Sequence, residues 1–392
     1  MTNPNVCHYN HKQFHYDPLK RTPQFMATTF EYVFPAIRGV QAQREYYVSM
    51  CPLRLIPKIF LFDEEELMPE LRAQRVLNRV RVPEIAGYIR ENRETYVFSA
   101  ITASVDGNVQ FVPVGSEGEA SRVGALHVDM QARFIINDGQ HRRAAIEMAI
   151  RDEPGLGDET IAVVFFLDRG LARSQQMFAD LNRYAIRPSR SLGLLYDHRN
   201  DLSKITKLVA LRSAAFKDVV EMEKSTLSER SRKLFTLSAI YTANAAILDG
   251  EELASLDAAA DRCAEFWDEV AKYLPEWGFV RTSKMTAGEV RRDFIHSHAI
   301  VLQAIGIAGN QLLNTAPKEW KARLKALKTI DWARSNARLW EGRAMIGGRV
   351  SKASHNVTLT ANVIKQRLAL DLGAEEQRVE NAIKRGQHAK AS

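Results

Sequence analysis

Apolar and polar positions change rhythm along this chain, and the changes mark out two kinds of structure. Between Tyr46 and Leu53 aromatic and β-branched residues crowd together, followed by Ile56, Ile59 and Phe60, and the composition predicts a strand. From Leu67 to Ile89 apolar residues recur at three- and four-residue steps, through Leu71, Val76, Leu77 and Val80 and again through Ile85, Ala86 and Ile89. That spacing predicts two helices broken near Val82-Pro83, where the proline disfavours helical geometry in the residue before it. Strand character returns from Tyr96 to Val105, and Asp106-Gly107-Asn108 followed by Val109 to Val112 predicts a hairpin. Arg133 to Ile136 reads as a short strand that stops at Asn137-Asp138-Gly139. A helix then runs from Arg142 to Ile150 and ends at Asp152-Glu153-Pro154-Gly155. Ile161 to Leu167 is an uninterrupted apolar run of the length expected of a buried central strand.

After about residue 200 the β-branched runs give way to helical periodicities in Ser231–Leu248, Leu256–Leu274, Val290–Leu313 and Lys318–Leu327. A basic glycine loop, Gly342-Arg343 and Gly347-Gly348-Arg349-Val350-Ser351-Lys352, precedes a helix pair, Thr360–Leu372 capped by Thr360 and Ala374–Arg385, that meets at Gly373. The expected organisation is an arm over residues 1–40, a mixed α/β domain (α+β or α/β) over 41–200, and a predominantly helical domain over 201–392.

Length supports that division, since 392 residues exceed what one core usually serves. With 45% hydrophobic and 26% charged residues the chain is globular. No apolar run approaches the ~20 residues of a membrane span and none opens the chain like a signal peptide, so a cytoplasmic protein without a membrane partner is expected. Cys7, Cys51 and Cys263 lie too far apart for a disulfide framework or a zinc site. His8, His11 and His15 complete no ligand spacing. His296 and His298 would point about 200° apart on a regular helix, so a polar network suits them better than a metal. The formal charge of +7 permits nucleic-acid binding without demanding it.

The densest chemistry is Asp138-Gly139-Gln140-His141-Arg142-Arg143, at the start of a helix. A helix N-terminus presents unpaired N–H groups and partial positive charge, both of which attract phosphate. Arg142 and Arg143 add permanent charge and can grip phosphate oxygens in pairs. Gly139 lets backbone approach a ligand. His141 can donate to an oxygen or carry a proton, and Asp138 can orient a base or help hold a metal. The plainer alternative makes Asp138 an ordinary helix cap, with the arginines paired to Glu147 or to Asp152 and Glu153. A second group, Phe178-Ala179-Asp180-Leu181-Asn182-Arg183 continuing to Arg187 and Arg190, places arginines at a helix end. They could close over a nucleotide, hold a DNA phosphate, or be solvated. Arg230, Arg232 and Lys233 could face DNA or solvent, and the C-terminal helix pair could dock as a helix-turn-helix variant.

Asp138-Gly139-Gln140-His141-Arg142 is the signature of DGQHR-domain proteins. Gln74-Arg75, Val82-Pro83-Glu84-Ile85-Ala86-Gly87-Tyr88-Ile89, Tyr96-Val97-Phe98-Ser99-Ala100-Ile101-Thr102 and Phe178 to Arg183 fall in an order that resembles the DndB family of bacterial DNA phosphorothioate modification systems. The first domain also resembles the ParB/sulfiredoxin fold, in which Gly139-Gln140-His141-Arg142 matches the nucleotide-binding element and Leu181-Asn182-Arg183 with Arg187 a degenerate second half. Gln140 stands where sulfiredoxin has its reactive cysteine, which removes sulfinic acid reduction. Small-molecule kinases of that fold carry a similar Asp-Gly-His-His-Arg. The resemblance implies a repressor that binds double-stranded DNA at the promoter of the modification genes, other proteins of the system as partners, and self-association. It also implies ATP binding and hydrolysis with Mg²⁺ at the motif, and the alternative to a repressor is an ATP-hydrolysing enzyme of the same system that could also nick DNA. In that event Arg142 and Arg143 would meet phosphate charge, Asp138 would hold Mg²⁺ or a water, and His141 would transfer a proton. Gly139, Gln140, Asn182, Arg183 and Arg187 complete the implied nucleotide site. Whether it senses, hydrolyses or clamps is left open by the residues.

Overall fold

The computed structural model describes residues 30–60, 80–167, 171–183, 188–252 and 254–391. Cys7, the histidines of the arm, Leu67 to Leu77 with Gln74-Arg75, and Arg187 lie outside the described residues. Contacts divide the chain into two compact units, Met1–Ile186 and Arg187–Ser392.

In the first unit β1 (Glu31–Gln41), β2 (Arg44–Pro52), β3 (Ile101–Asp106), β4 (Val109–Pro113), β5 (Val123–Asp129), β6 (Arg133–Asp138) and β7 (Thr160–Phe166) form one sheet, ordered β4-β5-β1-β2-β7-β3-β6. The apolar run of β7 is indeed central, between β2 and β3. Only β3 and β7 run parallel, so the sheet is mixed and mostly antiparallel.

The hairpin expected at Asp106-Gly107-Asn108 does not form. β3 pairs with β6 and β7, whereas β4 pairs with β5 at the far side of the sheet. The link between β3 and β4 has two residues and reaches no more than about 10 Å, so the sheet must curl until its ends approach. Ring contacts agree: Phe34 on β1 and Phe134 on β6 lie 6.4 Å apart, although four strand spacings would separate them by about 19 Å on a flat sheet. Gly107 serves this corner and not a turn, because a Cβ there would sit 2.4 Å from the Cβ of Ala132.

Helices α1 (Ile56–Ile59), α2 (Arg81–Glu91) and α3 (Gln140–Asp152) bury Ile56, Ile59, Ala86, Ile89, Ala145 and Ile146 with the strand residues Ile101, Ile136, Val163 and Phe165. Pro83 stands in the first turn of α2, where its missing N–H breaks no helical bond, so the helix starts before Val82 and runs through it. A further helix, α4 (Leu171–Arg183), packs on β6.

The second unit is built from helices with short strand pairs. In order it comprises α5 (Arg190–Tyr196), α6 (Asp201–Arg212), β8 (Val220–Glu221), β9 (Phe235–Thr236), α7 (Leu237–Ile247), α8 (Leu256–Ala271), α9 (Pro275–Arg281), α10 (Ala287–Asp293) and α11 (Ala299–Thr315). It closes with α12 (Trp320–Leu324), α13 (Ala337–Trp340), β10 (Met345–Ile346), β11 (Arg349–Val350), α14 (Ser354–Arg367) and α15 (Ala374–Ala391). The axis of this core is α11, apolar on nearly every side, from Ile300 to Leu313. Its periodicity runs on into α10 in sequence, but the chain breaks at Phe294–His298, where Phe294 bridges to Ala333 and the Ile295 amide bonds to the Trp332 carbonyl.

Thr360 caps nothing. It lies inside α14, buried, with its hydroxyl on the Asn356 carbonyl at 2.7 Å. Arg343 leaves the glycine loop for a buried two-point ion pair with Glu380, at 2.8 and 2.6 Å. Because α14 is buried continuously from Leu359 to Lys365, it has no free face with which to read a DNA groove. Among the described residues no helix is long and apolar enough to cross a membrane.

Candidate functional site

β6 ends at Asp138, and Gly139 turns the chain into α3 with φ at +112°, a left-handed conformation that a side chain would strain. Asp138 is not the helix cap. Gly139 occupies that position, and no side chain closes the first turn. No acidic residue in that turn neutralises the positive end of the α3 dipole.

Adjacent arginines have opposite fates here. Arg142 folds back over Gly139, and a Cβ on that glycine would lie 3.1 Å from its Nη2 and 3.0 Å from Ile101 Cγ1. A single terminal nitrogen, Nη2, donates both to the Ala100 carbonyl at 3.0 Å and to the Asp138 carboxylate at 2.8 Å. Its Nε is buried and has no acceptor among the described residues. Arg143 is itself buried and points into the unit, donating from Nε to the Phe60 carbonyl at 2.9 Å, from Nη2 to the Pro57 carbonyl at 3.1 Å, and to Glu147. Burial pushes its guanidinium below the usual arginine range, and Glu147 opposes that. The geometry makes Arg143 a strut from α3 to the end of α1, differing from the expected phosphate ligand because its fork is filled by protein carbonyls. Of the pairings in the plainer reading one is present, Arg143 with Glu147, whereas Asp152 and Glu153 pair instead with Arg90 and Arg93.

Gln140 is buried at the first helical position, and His141 is half-exposed beside it. Asp138 stays open to solvent. Asn137, one residue before the motif, is fully buried and donates to Ser104 Oγ at 2.7 Å and to Met177 Sδ at 2.8 Å, while its Oδ1 has no partner among the described residues. An Asn at a strand end signals in sequence only that the strand stops, so nothing there marks Asn137 as a buried polar contact. Through Met177 the helix of the second arginine group does reach the strand that ends in Asp138. Arg183, exposed, lies six residues further along α4, about 9 Å of helix, in the same final turn as Asn182.

A cavity of about 610 Å³ opens between the β1–β2 turn, the last residues of β7 and α4, with Arg44, Glu45, Arg173 and Asp180 in its wall. It is not the motif's pocket. Asp138 is level with Thr102 and hence with Val164, and the chain leaves β6 towards the start of β7, whereas the cavity begins at Phe166 and Leu167.

The other candidates resolve into protein contacts. Trp277 donates to His296 Nδ1 at 3.0 Å, which leaves the proton of a neutral ring on Nε2, 3.2 Å from Glu276. His298 Nε2 meets the Arg291 carbonyl at 2.8 Å. Lys233 bonds to the Asp218 carbonyl, and Arg230 and Arg232 are exposed.

A family model described as DndB, DNA-sulfur modification-associated, matches residues 34–371. No curated protein and no solved structure matches the chain.

Proposed function

Because the chain belongs to the DndB family, we propose that it is a DNA-binding regulator of a DNA phosphorothioate modification system, with a phosphate or nucleotide site where β6 meets α3. We read the first unit as ParB/sulfiredoxin-like on the same strand, glycine and helix. The observation that carries the site is Arg142: an arginine held by one terminal nitrogen, beside an uncapped helix N-terminus, with its Nε unsatisfied. Swinging out to a phosphate would exchange two shared bonds for a two-point, charge-assisted grip. His141 and the positive end of the α3 dipole complete the cradle. Asp138 is the carboxylate placed to meet Mg²⁺ arriving with a nucleotide, and ATP is the nucleotide to try first. Double-stranded DNA would be held through the chain's excess positive charge.

The test is retardation of promoter DNA of the modification genes across a salt series, with and without ATP. Retardation that falls steeply with salt, and a nucleotide effect abolished in Arg142→Gln, is the expected result. Absence of salt-sensitive binding defeats the regulator. Mg²⁺-dependent phosphate release that disappears in His141→Ala would put an ATPase in its place.

A further inference from the structure

In the second unit a cavity of about 450 Å³ lies at the N-terminus of α11, within the range of small-molecule sites. α11 is 17 residues long and no side chain caps it. Its first-turn amides at Ala299 and Ile300 sit where a helix offers no acceptor of its own, and the core around the helix keeps its dipole in a poorly screened setting. Ser297, just before the cap position, lines the cavity and is 5% exposed, and its hydroxyl has no partner among the described residues.

The charge around this opening is positive and poorly compensated. Arg291 donates only to main-chain carbonyls, those of Ser228, Glu229, Ser231 and Lys233, and burial pushes its guanidinium below the usual range. Arg334 likewise bonds to the carbonyls of Arg292 and Gly348, at 3.3 and 3.0 Å. Lys352 is open to solvent at the mouth, yet its recess and the charge of Arg190 push its ammonium below the usual lysine range. Against these stand Glu229 in the wall and Asp293, which Arg292 engages at both oxygens and whose charge Arg334 also feels. His298 adds no charge near neutrality, since burial pushes its pKa down to about 4.

We propose that the second unit holds an oxyanion of the phosphate class, as free phosphate or as the terminal phosphate of a mononucleotide, between the α11 N-terminus, Ser297, Arg334 and Lys352. Unpaired cations, open helix amides and an orphaned hydroxyl converge there, and a tetrahedral dianion satisfies all three.

The experiment is calorimetric titration of the full chain with inorganic phosphate and separately with AMP, at chloride-matched ionic strength. Saturable binding of phosphate is expected. Tighter AMP binding marks the nucleotide as the source, and equal or weaker binding marks the free ion. Lys352→Gln and Arg334→Gln should each weaken it about tenfold, with Ser297→Ala weakening it less, and the titrations are run in the Arg142→Gln background so that the β6–α3 junction adds no heat of its own. No saturable heat with either ligand, or unchanged affinity in folded Lys352→Gln, would overturn the proposal. Lys352 makes no hydrogen bond to the described residues, so that variant carries the test even where Arg334→Gln fails to fold.

Discussion

The β6–α3 junction and the α11 N-terminus are two helix starts ringed by arginine, and they differ in what the arginines already hold. At the first, a conspicuous motif supplies its own counter-charge: Asp138 sits on Arg142 and Glu147 on Arg143. At the second, residues scattered from Ser297 to Lys352 converge without forming a motif, and Arg291 and Arg334 face carbonyls where carboxylates would neutralise them. A concentrated run of functional letters therefore marks where charge is organised. It does not by itself mark where charge is free. That distinction depends on partners that arrive from other parts of the fold.

The largest effect that separates the two roles lies within the motif. Arg143→Ala strips a bond from the buried Phe60 carbonyl and one from the part-buried Pro57 carbonyl and leaves a gap where the buried guanidinium was, so it should destabilise the first unit by about 3–4 kcal/mol. Arg142→Ala, whose contacts are shared and near the surface, should cost about 1 kcal/mol or less. Urea unfolding of both variants decides it. Equal losses would erase the division between strut and ligand arm.

Acid should act on the second site. Burial holds the His298 pKa at about 4 against the usual 6.5, with Arg334, His296 and Arg291 adding to the depression and the Arg291 carbonyl opposing it. Above pH 6.5 neither folded nor unfolded chain protonates this ring, so it contributes no pH dependence. As the pH falls from 6.5 towards 4 the unfolded chain takes up a proton that the folded chain refuses, and stability drops by up to about 3 kcal/mol. His296, also depressed by burial, acts in the same direction. Denaturant unfolding at pH 7 and pH 4.5 should show a smaller loss in His298→Gln than in the wild type. An identical loss would mean that His298 is not held neutral.

How far the sequence discloses this arrangement depends on the range of the interactions. The apolar run of β7, the helical spacing of α3 and the strand–glycine–helix junction at Asp138-Gly139 are local patterns, and each is present where its pattern falls. The hairpin at Gly107 fails because a glycine needed for packing on Ala132 carries the same local mark as one needed for a turn. Arg142 and Arg143 are identical in type and adjacent, and only the long-range carbonyls of Ala100, Pro57 and Phe60 tell them apart. The α11 cavity is silent for the same reason, since Thr236, Ser297, Arg334 and Lys352 meet only once the helices have packed.

Gly139→Ala should sharpen the first site. The position combines φ of +112° with Ile101 and Arg142 at close contact, and a left-handed non-glycine residue costs about 1–3 kcal/mol. A loss of about 2 kcal/mol is expected by denaturant unfolding, together with displacement of Arg142 from the Ala100 carbonyl. A neutral substitution would show that neither the turn nor the close approach requires glycine.

The smallest expected effect is the most discriminating. Lys352 is exposed, unbonded among the described residues and repelled by Arg190, so Lys352→Gln should change stability by less than about 0.5 kcal/mol in phosphate-free buffer. Relief of that repulsion should make the sign slightly favourable. In phosphate the wild type should gain melting temperature and the variant should gain less, because only an anion gives this lysine a partner. A structural lysine would behave otherwise, with a stability loss that is the same with and without phosphate. A lysine kept only for solubility would leave both melting curves superimposed. The difference between the two buffers, and not the size of either shift, therefore separates an anion-binding recess from a merely basic surface.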